Sequence, residues 1–335
     1  MLVSRLLSSD SINAPTHPMK ILFDTDPGID DAMALLMLAR DPRAELVGIS
    51  TVFGNASIET TTRNALALCE RFGIEVPVAR GASRPLVKAP SVDYPALIHG
   101  HDGIGNVGLA PAQTRHVDAL PAPAFISAMA RRHAGGALTL VAVGPLTNLA
   151  LALQHDPQLV ERVRGVVVMG GAFGVNGHGG NVSPVAEANI ASDPHAADIV
   201  FGARWPVTLV GLDVTHEVLL GTRYLEALGR DGGEEGAFIW QITRCYEDFY
   251  NARTGGGIFS HDASAVACAL DPSPFTLRRG PVRVVTEGIA AGQTIQKLAG
   301  QRFPATDWDA VPEQSVCVAV DAERLRAEFR ACFAP

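Results

Sequence analysis

Residues 21–32, Ile21-Leu22-Phe23-Asp24-Thr25-Asp26-Pro27-Gly28-Ile29-Asp30-Asp31-Ala32, place four carboxylates between an apolar triplet and a second apolar run that continues to Ala39. The triplet suits a strand buried on both faces and the second run a helix, so the acids fall at the carboxyl end of the strand, where open α/β sheets bind ligands. Like charges this close repel and raise one another's pKa unless a positive charge, a helix N-terminus or water compensates them. A calcium-sized ion is the economical partner, because it takes six to eight oxygen ligands, whereas zinc would call for closely spaced His and Cys. The same residues would also suit a solvated turn leading into a helix N-cap, but such a turn needs fewer acids.

Working outward, strand-like and helix-like segments alternate. Strands are expected at Ile21–Asp24, Leu46–Val52, Leu138–Val143, Gly165–Met169 and Val207–Val210, each rich in branched apolar residues. Helices are expected at Ala32–Ala39, Ile58–Arg71, Ala124–His133, Leu146–Gln154 and Pro194–Phe201, the last opened by Asp193 as cap and Pro194 in the first turn. A helical stretch from Ala237 to Tyr250, a helix from Asp262 to Leu270 and strands near Val282–Thr286 and Val316–Val320 follow. This pattern predicts an α/β fold, an open, mostly parallel, Rossmann-like sheet with helices on both faces. Residues 1–18 carry only a short apolar patch, Leu6-Leu7, and read as a disordered extension or a start codon placed ahead of Met19. No repeat or linker divides the rest, so residues 19–335 are expected to form one domain.

Composition narrows the function. Across 335 residues the chain is 47% hydrophobic and 19% charged, with a net charge of −8. That balance argues against nucleic acid as partner, offers no basic stripe for an anionic membrane, and leaves small neutral or cationic ligands open. Five scattered cysteines, Cys69, Cys245, Cys268, Cys317 and Cys332, form no CxxC pair and suggest a reduced, cytoplasmic setting. Further polar residues gather at the expected strand ends: Asn55, Thr147-Asn148, then Asn181, Glu187 and Asn189, with His261-Asp262 opening a late helix. Amides and acids of this kind match sugar hydroxyls, and no Lys/Arg cluster is present to meet a phosphate.

The segment Asp24 to Ala32 resembles the N-terminal signature of the inosine-uridine preferring nucleoside hydrolases, which split the N-glycosidic bond of ribonucleosides. Similar landmarks follow in the family's order over about residues 19–325: Thr51-Val52-Phe53-Gly54-Asn55, Gly144-Pro145-Leu146-Thr147-Asn148, Val168-Met169-Gly170-Gly171, Glu187-Ala188-Asn189-Ile190, Gly211-Leu212-Asp213-Val214-Thr215-His216 and His261-Asp262. The resemblance implies the nucleoside hydrolase fold with the active site at the carboxyl edge of the strands. It implies a Ca²⁺ held by Asp26, Asp31, Asp262 and the Val143 carbonyl, with Asp30, Asn55, Asn181, Glu187 and Asn189 on the ribose and Met169 lining its pocket. It further implies His261, His99, Tyr246 and Tyr250 around the base, assembly as a homodimer or homotetramer, and a part in nucleoside catabolism and base salvage. In one departure, Ala188 stands where relatives commonly carry an aromatic residue, which removes stacking from that side.

Breaking a nucleoside carbon–nitrogen bond builds positive charge on the ribose, so surrounding carboxylates favour the transition state over the neutral substrate. Asp26 is the expected general base, acting on water with inversion, and His261 the expected proton donor to the departing base. Thr254–Ser260, with three consecutive glycines, is expected to be a mobile lid. Two other readings stand beside this one. Asp24-Thr25-Asp26 resembles the nucleophile motif of haloacid-dehalogenase-like phosphohydrolases, although Pro27 departs from it and lysine occurs only at Lys20, Lys88 and Lys297. A non-catalytic calcium- or sugar-binding protein would keep the metal without turnover.

Overall fold

The computed structural model describes residues 17–89, 93–133 and 135–334. The strands are β1 (Met19–Thr25), β2 (Ala44–Thr51), β3 (Val78–Arg80), β4 (Leu138–Ala142), β5 (Val163–Met169), β6 (Val207–Val210), β7 (Leu219–Leu220), β8 (Ile258–Phe259), β9 (Phe275–Val284), β10 (Thr294–Gln296) and β11 (Glu313–Val320). Nine of them form one sheet in the order β10-β9-β11-β6-β5-β4-β1-β2-β3, and β7 pairs with β8 apart from it. From β3 across to β11 every pairing is parallel, and β9 runs antiparallel between β11 and β10.

Alternation along the central strands builds two cores. Ile21, Phe23, Val141, Val167 and Met169 pack on one face under the helices Ile29–Arg40, Gly233–Thr254 and Asp262–Leu270. Leu22, Leu140, Ala142, Val166 and Val168 pack on the other, under Ala122–Arg132, Thr147–His155 and Pro194–Gly202. Strands sandwiched this way leave no solvent face, which is why their sequences are nearly continuous in apolar residues. The strand order reverses between β1 and β4, and the crevice at such a switch point, outside the carboxyl ends, is where doubly wound sheets take ligands.

Several expectations are adjusted. Met19 opens β1 as the sequence indicated, its N–H bonded to the Arg43 carbonyl at 2.8 Å, while residues 1–16 of the expected extension lie outside the described residues. The first helix begins at Ile29 rather than Ala32, so Asp30 and Asp31 occupy its first turn, where the helix dipole favours negative charge. β3 and β10 were not expected; each is three residues long, too short for a period-2 signal to register. The expected lid is tied into the fold: Gly255 caps the preceding helix at φ 67, Gly257 N–H reaches Glu247 Oε1 at 2.6 Å, and Ile258–Phe259 is β8 itself. Among the described residues, no helix is long and apolar enough to cross a membrane.

Candidate active site

The acids at the end of β1 and in the turn after it are buried. Asp24 lies within the strand, its Oδ1 accepting from Ser50 Oγ at 2.5 Å and Asn148 Nδ2 at 2.8 Å, and burial pushes it up to about 7. Asp31 gathers the turn by accepting from Thr25 Oγ1 at 2.5 Å, from the N–H groups of Asp26 and Gly28 at 3.0 Å each, and from Asn55 Nδ2 at 2.8 Å. It therefore serves as a helix cap as well as a member of the acidic group. Asp26 accepts the Asn55 N–H at 2.7 Å through Oδ2, while its Oδ1 and that of Asp30 are buried with no hydrogen-bond partner among the described residues, His99 Nδ1 lying 3.9 Å from Asp30 Oδ1.

Asp262 comes from far along the chain, in the first turn of Asp262–Leu270, and completes the cluster. Oxygens of Asp30, Asp31 and Asp262 lie within 4.8 Å of one another. Asp30 thus joins the group although the resemblance assigned it to the ribose, and Asp26 stands beside it. Burial raises the pKa of Asp26, Asp31 and Asp262, and the neighbouring acids raise them further; burial also brings Asp30 up to about 6. An all-oxygen donor set with unpartnered buried oxygens and mutual repulsion fits a hard divalent cation, which would keep every carboxylate ionised.

The cluster floors a cavity of about 430 Å³. Asn55, Asn181, Glu187, Asn189 and Met169 line it. Asn189 Nδ2 donates to the Val143 carbonyl at 2.7 Å and the Met169 carbonyl at 3.2 Å, and Asn181 Oδ1 receives the Ala188 N–H at 2.9 Å. Both Glu187 oxygens are engaged, taking N–H groups from Asn189 at 2.9 Å and from Gly171 and Ile190 at 3.1 Å, so this residue caps the short helix Ala188–Ser192. Aromatic and imidazole rings line it as well. Tyr246 and Tyr250, one helical turn apart, meet edge to face at 5.0 Å. Tyr246 donates its hydroxyl to Asp30 at 3.2 Å, and Tyr250 Oη sits 3.3 Å from His261 Nε2. His261 Nδ1 shares a 2.8 Å hydrogen bond with Thr215 Oγ1, and burial holds the imidazole pKa well below its usual range. His99 receives the Ile29 N–H on Nδ1 at 3.2 Å and is likewise held down, to about 4, by burial.

A profile of the family described as inosine-uridine preferring nucleoside hydrolase matches residues 21–327. The chain belongs to this family. It is 38% identical to "Probable uridine nucleosidase 1" of Oryza sativa subsp. japonica, over 94% of this chain and 96% of that one. It is 41% identical to "Inosine-uridine preferring nucleoside hydrolase" of Leishmania major, over 83% and 87%. A solved plant nucleoside hydrolase superposes with a TM-score of 0.90 at 36% identity, covering 95% of this chain and all of its own. The chain is thus a nucleoside N-ribohydrolase, and the phosphohydrolase alternative falls away.

Of the site residues expected for this nucleoside hydrolase, all but Asp31 line the cavity, and Asp31 lies within the acidic cluster at its floor. Several cavity residues escaped the sequence: Tyr94, Phe249 and Arg253. Phe249 is 43% exposed, and its ring centre lies 5.2 Å from that of Tyr250. The available signal was spacing, since Tyr246, Phe249, Tyr250 and Arg253 recur at three and four residues along one helix.

Proposed function

We propose that this nucleoside hydrolase cleaves the N-glycosidic bond of ribonucleosides, inosine and uridine among them, to ribose and free base with the help of Ca²⁺. The reading rests above all on the convergence of Asp30, Asp31 and Asp262 under a nucleoside-sized cavity. Its base choice is supported by relatives named for uridine and for inosine-uridine. Asp26, Asp31, Asp262 and the Val143 carbonyl would hold the ion. Bound there, it supplies fixed positive charge that keeps the acids ionised and lowers the pKa of an adjacent water.

Asp26 acts as general base. Its Oδ2 is fixed by the Asn55 N–H, which leaves Oδ1 to take the proton of the attacking water. Asp30, Asn55, Asn181, Glu187 and Asn189 hold the ribose hydroxyls, and Met169 walls the sugar. As the bond breaks, the anionic oxygens of the floor stabilise the positive charge growing on the ring more than they stabilise the neutral substrate. Water attacks the face opposite the base, so the anomeric centre inverts. His261, backed by Thr215 and facing Tyr250, conveys a proton to the departing base, and His99 borders the same space. Residues 19–335 act as one domain, assembled as a homodimer or homotetramer in a reducing, cytoplasmic setting, consistent with five free cysteines.

The test is release of reducing sugar from inosine, adenosine, guanosine, uridine and cytidine, with metal content measured on the same sample. Ribose from inosine and uridine with about one Ca²⁺ per chain is expected. Sugar binding without turnover would replace the proposal by the binding-protein reading.

A further inference from the structure

Arg253 lies in the last turn of the helix Gly233–Thr254 and lines the cavity on the side of Tyr246, Tyr250 and His261. Its guanidinium sits 5.9 Å from the Tyr250 ring centre and 6.0 Å from that of Phe259, and makes no hydrogen bond or ion pair with any described residue. Its neighbours at the rim differ. Lys88 spends its ammonium on the Ala191 carbonyl at 3.0 Å, and Asp93 has a contact of its own. Arg253 therefore brings a fork of unspent donors, and no acceptor, to the base side of the cavity.

Such a fork distinguishes bases by their edges. A 6-oxopurine offers the O6 and N7 acceptors together, the pair that arginine meets bidentately, and uracil offers O4. Adenine and cytosine carry an amino group at the equivalent carbon, which confronts the guanidinium with another donor. Arg253 is exposed at the mouth of the cavity, so an amino group facing it forfeits the bidentate pair that an oxo edge would form there. We propose that Arg253 reads the oxo edge of the nucleobase and makes this enzyme favour 6-oxopurine and 4-oxopyrimidine nucleosides over their amino counterparts. The inference rests on the ribonucleoside hydrolysis proposed above and names the residue that sets its base choice.

The test compares kcat/KM for inosine against adenosine and for uridine against cytidine, in the wild type, Arg253→Met and Arg253→Lys, with the melting temperature of each protein as a check on folding. The wild type should favour the oxo member of both pairs. Methionine keeps apolar cover on the rings but removes the donors, so both ratios should fall by about tenfold or more, chiefly through the oxo substrates. Lysine, a point charge without the fork, should fall between. Equal losses on all four nucleosides, or unchanged ratios in a folded Arg253→Met, would overturn the role of Arg253 while leaving nucleoside hydrolysis intact. Absence of ribose release from every nucleoside by the wild type would instead overturn the hydrolase reading on which the inference rests.

Discussion

A Cβ built on Gly54 would fall 2.0 Å from Asp26 Oδ2, and one on Gly144 would fall 2.3 Å from Oδ1, so backbone closes on this carboxylate from both sides with no room for a methyl group. Gly54 also carries φ 156, which a side chain rarely adopts. Gly54→Ala should therefore push Asp26 out of line and lower kcat by about a hundredfold, in keeping with the cost of small misplacements at a reacting centre. A circular dichroism spectrum like the wild type's would show that misplacement, not unfolding, is responsible. Asp26→Ala removes the base itself. It should lower kcat by several orders of magnitude in a folded protein, and wild-type turnover would take Asp26 out of the mechanism. At this scale the sequence was most legible where chemistry is local, because Asp24 to Asp31 crowd charge into a few positions that no ordinary turn needs. Arg253 and Phe249 escaped because an arginine and a phenylalanine on a long helix have so many commoner roles.

Elements meet at Asp193, a buried carboxylate outside the acidic cluster. Asp193 caps the helix Pro194–Gly202 through the Ala196 N–H at 3.1 Å, and its other oxygen takes the Leu86 N–H at 2.9 Å and Thr147 Oγ1 at 2.7 Å. One side chain thus fastens the start of one helix to the start of another and to the segment after β3. Asp193→Ala leaves these donors buried and unmatched, and should cost about 2–4 kcal/mol in urea unfolding, more than an exposed cap. A cost below ~1 kcal/mol would mean that water replaces the carboxylate. The cap was legible in Ser192-Asp193-Pro194, but its long-range partners were not, since nothing in a single sequence links Asp193 to Leu86. The glycine run misled for a related reason. Gly255-Gly256-Gly257 suggests freedom when read alone, whereas Glu247, ten residues before Gly257, accepts the Gly257 N–H and ties the loop to the helix.

On the scale of the whole molecule, the parallel core was legible because strands covered on both faces cannot avoid a continuous apolar run. The edges were not, because β3 and β10 are short and the antiparallel β9 follows different rules. On the calcium proposal, the acidic floor would tie stability to metal. Removing the ion leaves buried like charges facing one another, so chelation should abolish activity and lower the melting temperature, and added Ca²⁺ should restore both. Full activity in a demonstrably metal-free sample would sink the calcium proposal. The cluster also has a consequence in time. Asp26, Asp30 and Asp31 belong to the first strand–helix turn of a growing chain, whereas Asp262 follows about 230 residues later. At roughly 5–20 residues per second, a ribosome needs on the order of 10–50 s to cover that gap. If an ion is held as proposed, it can be gripped only once Asp262 has been made, so its capture would trail the synthesis of the first strand–helix turn by that interval.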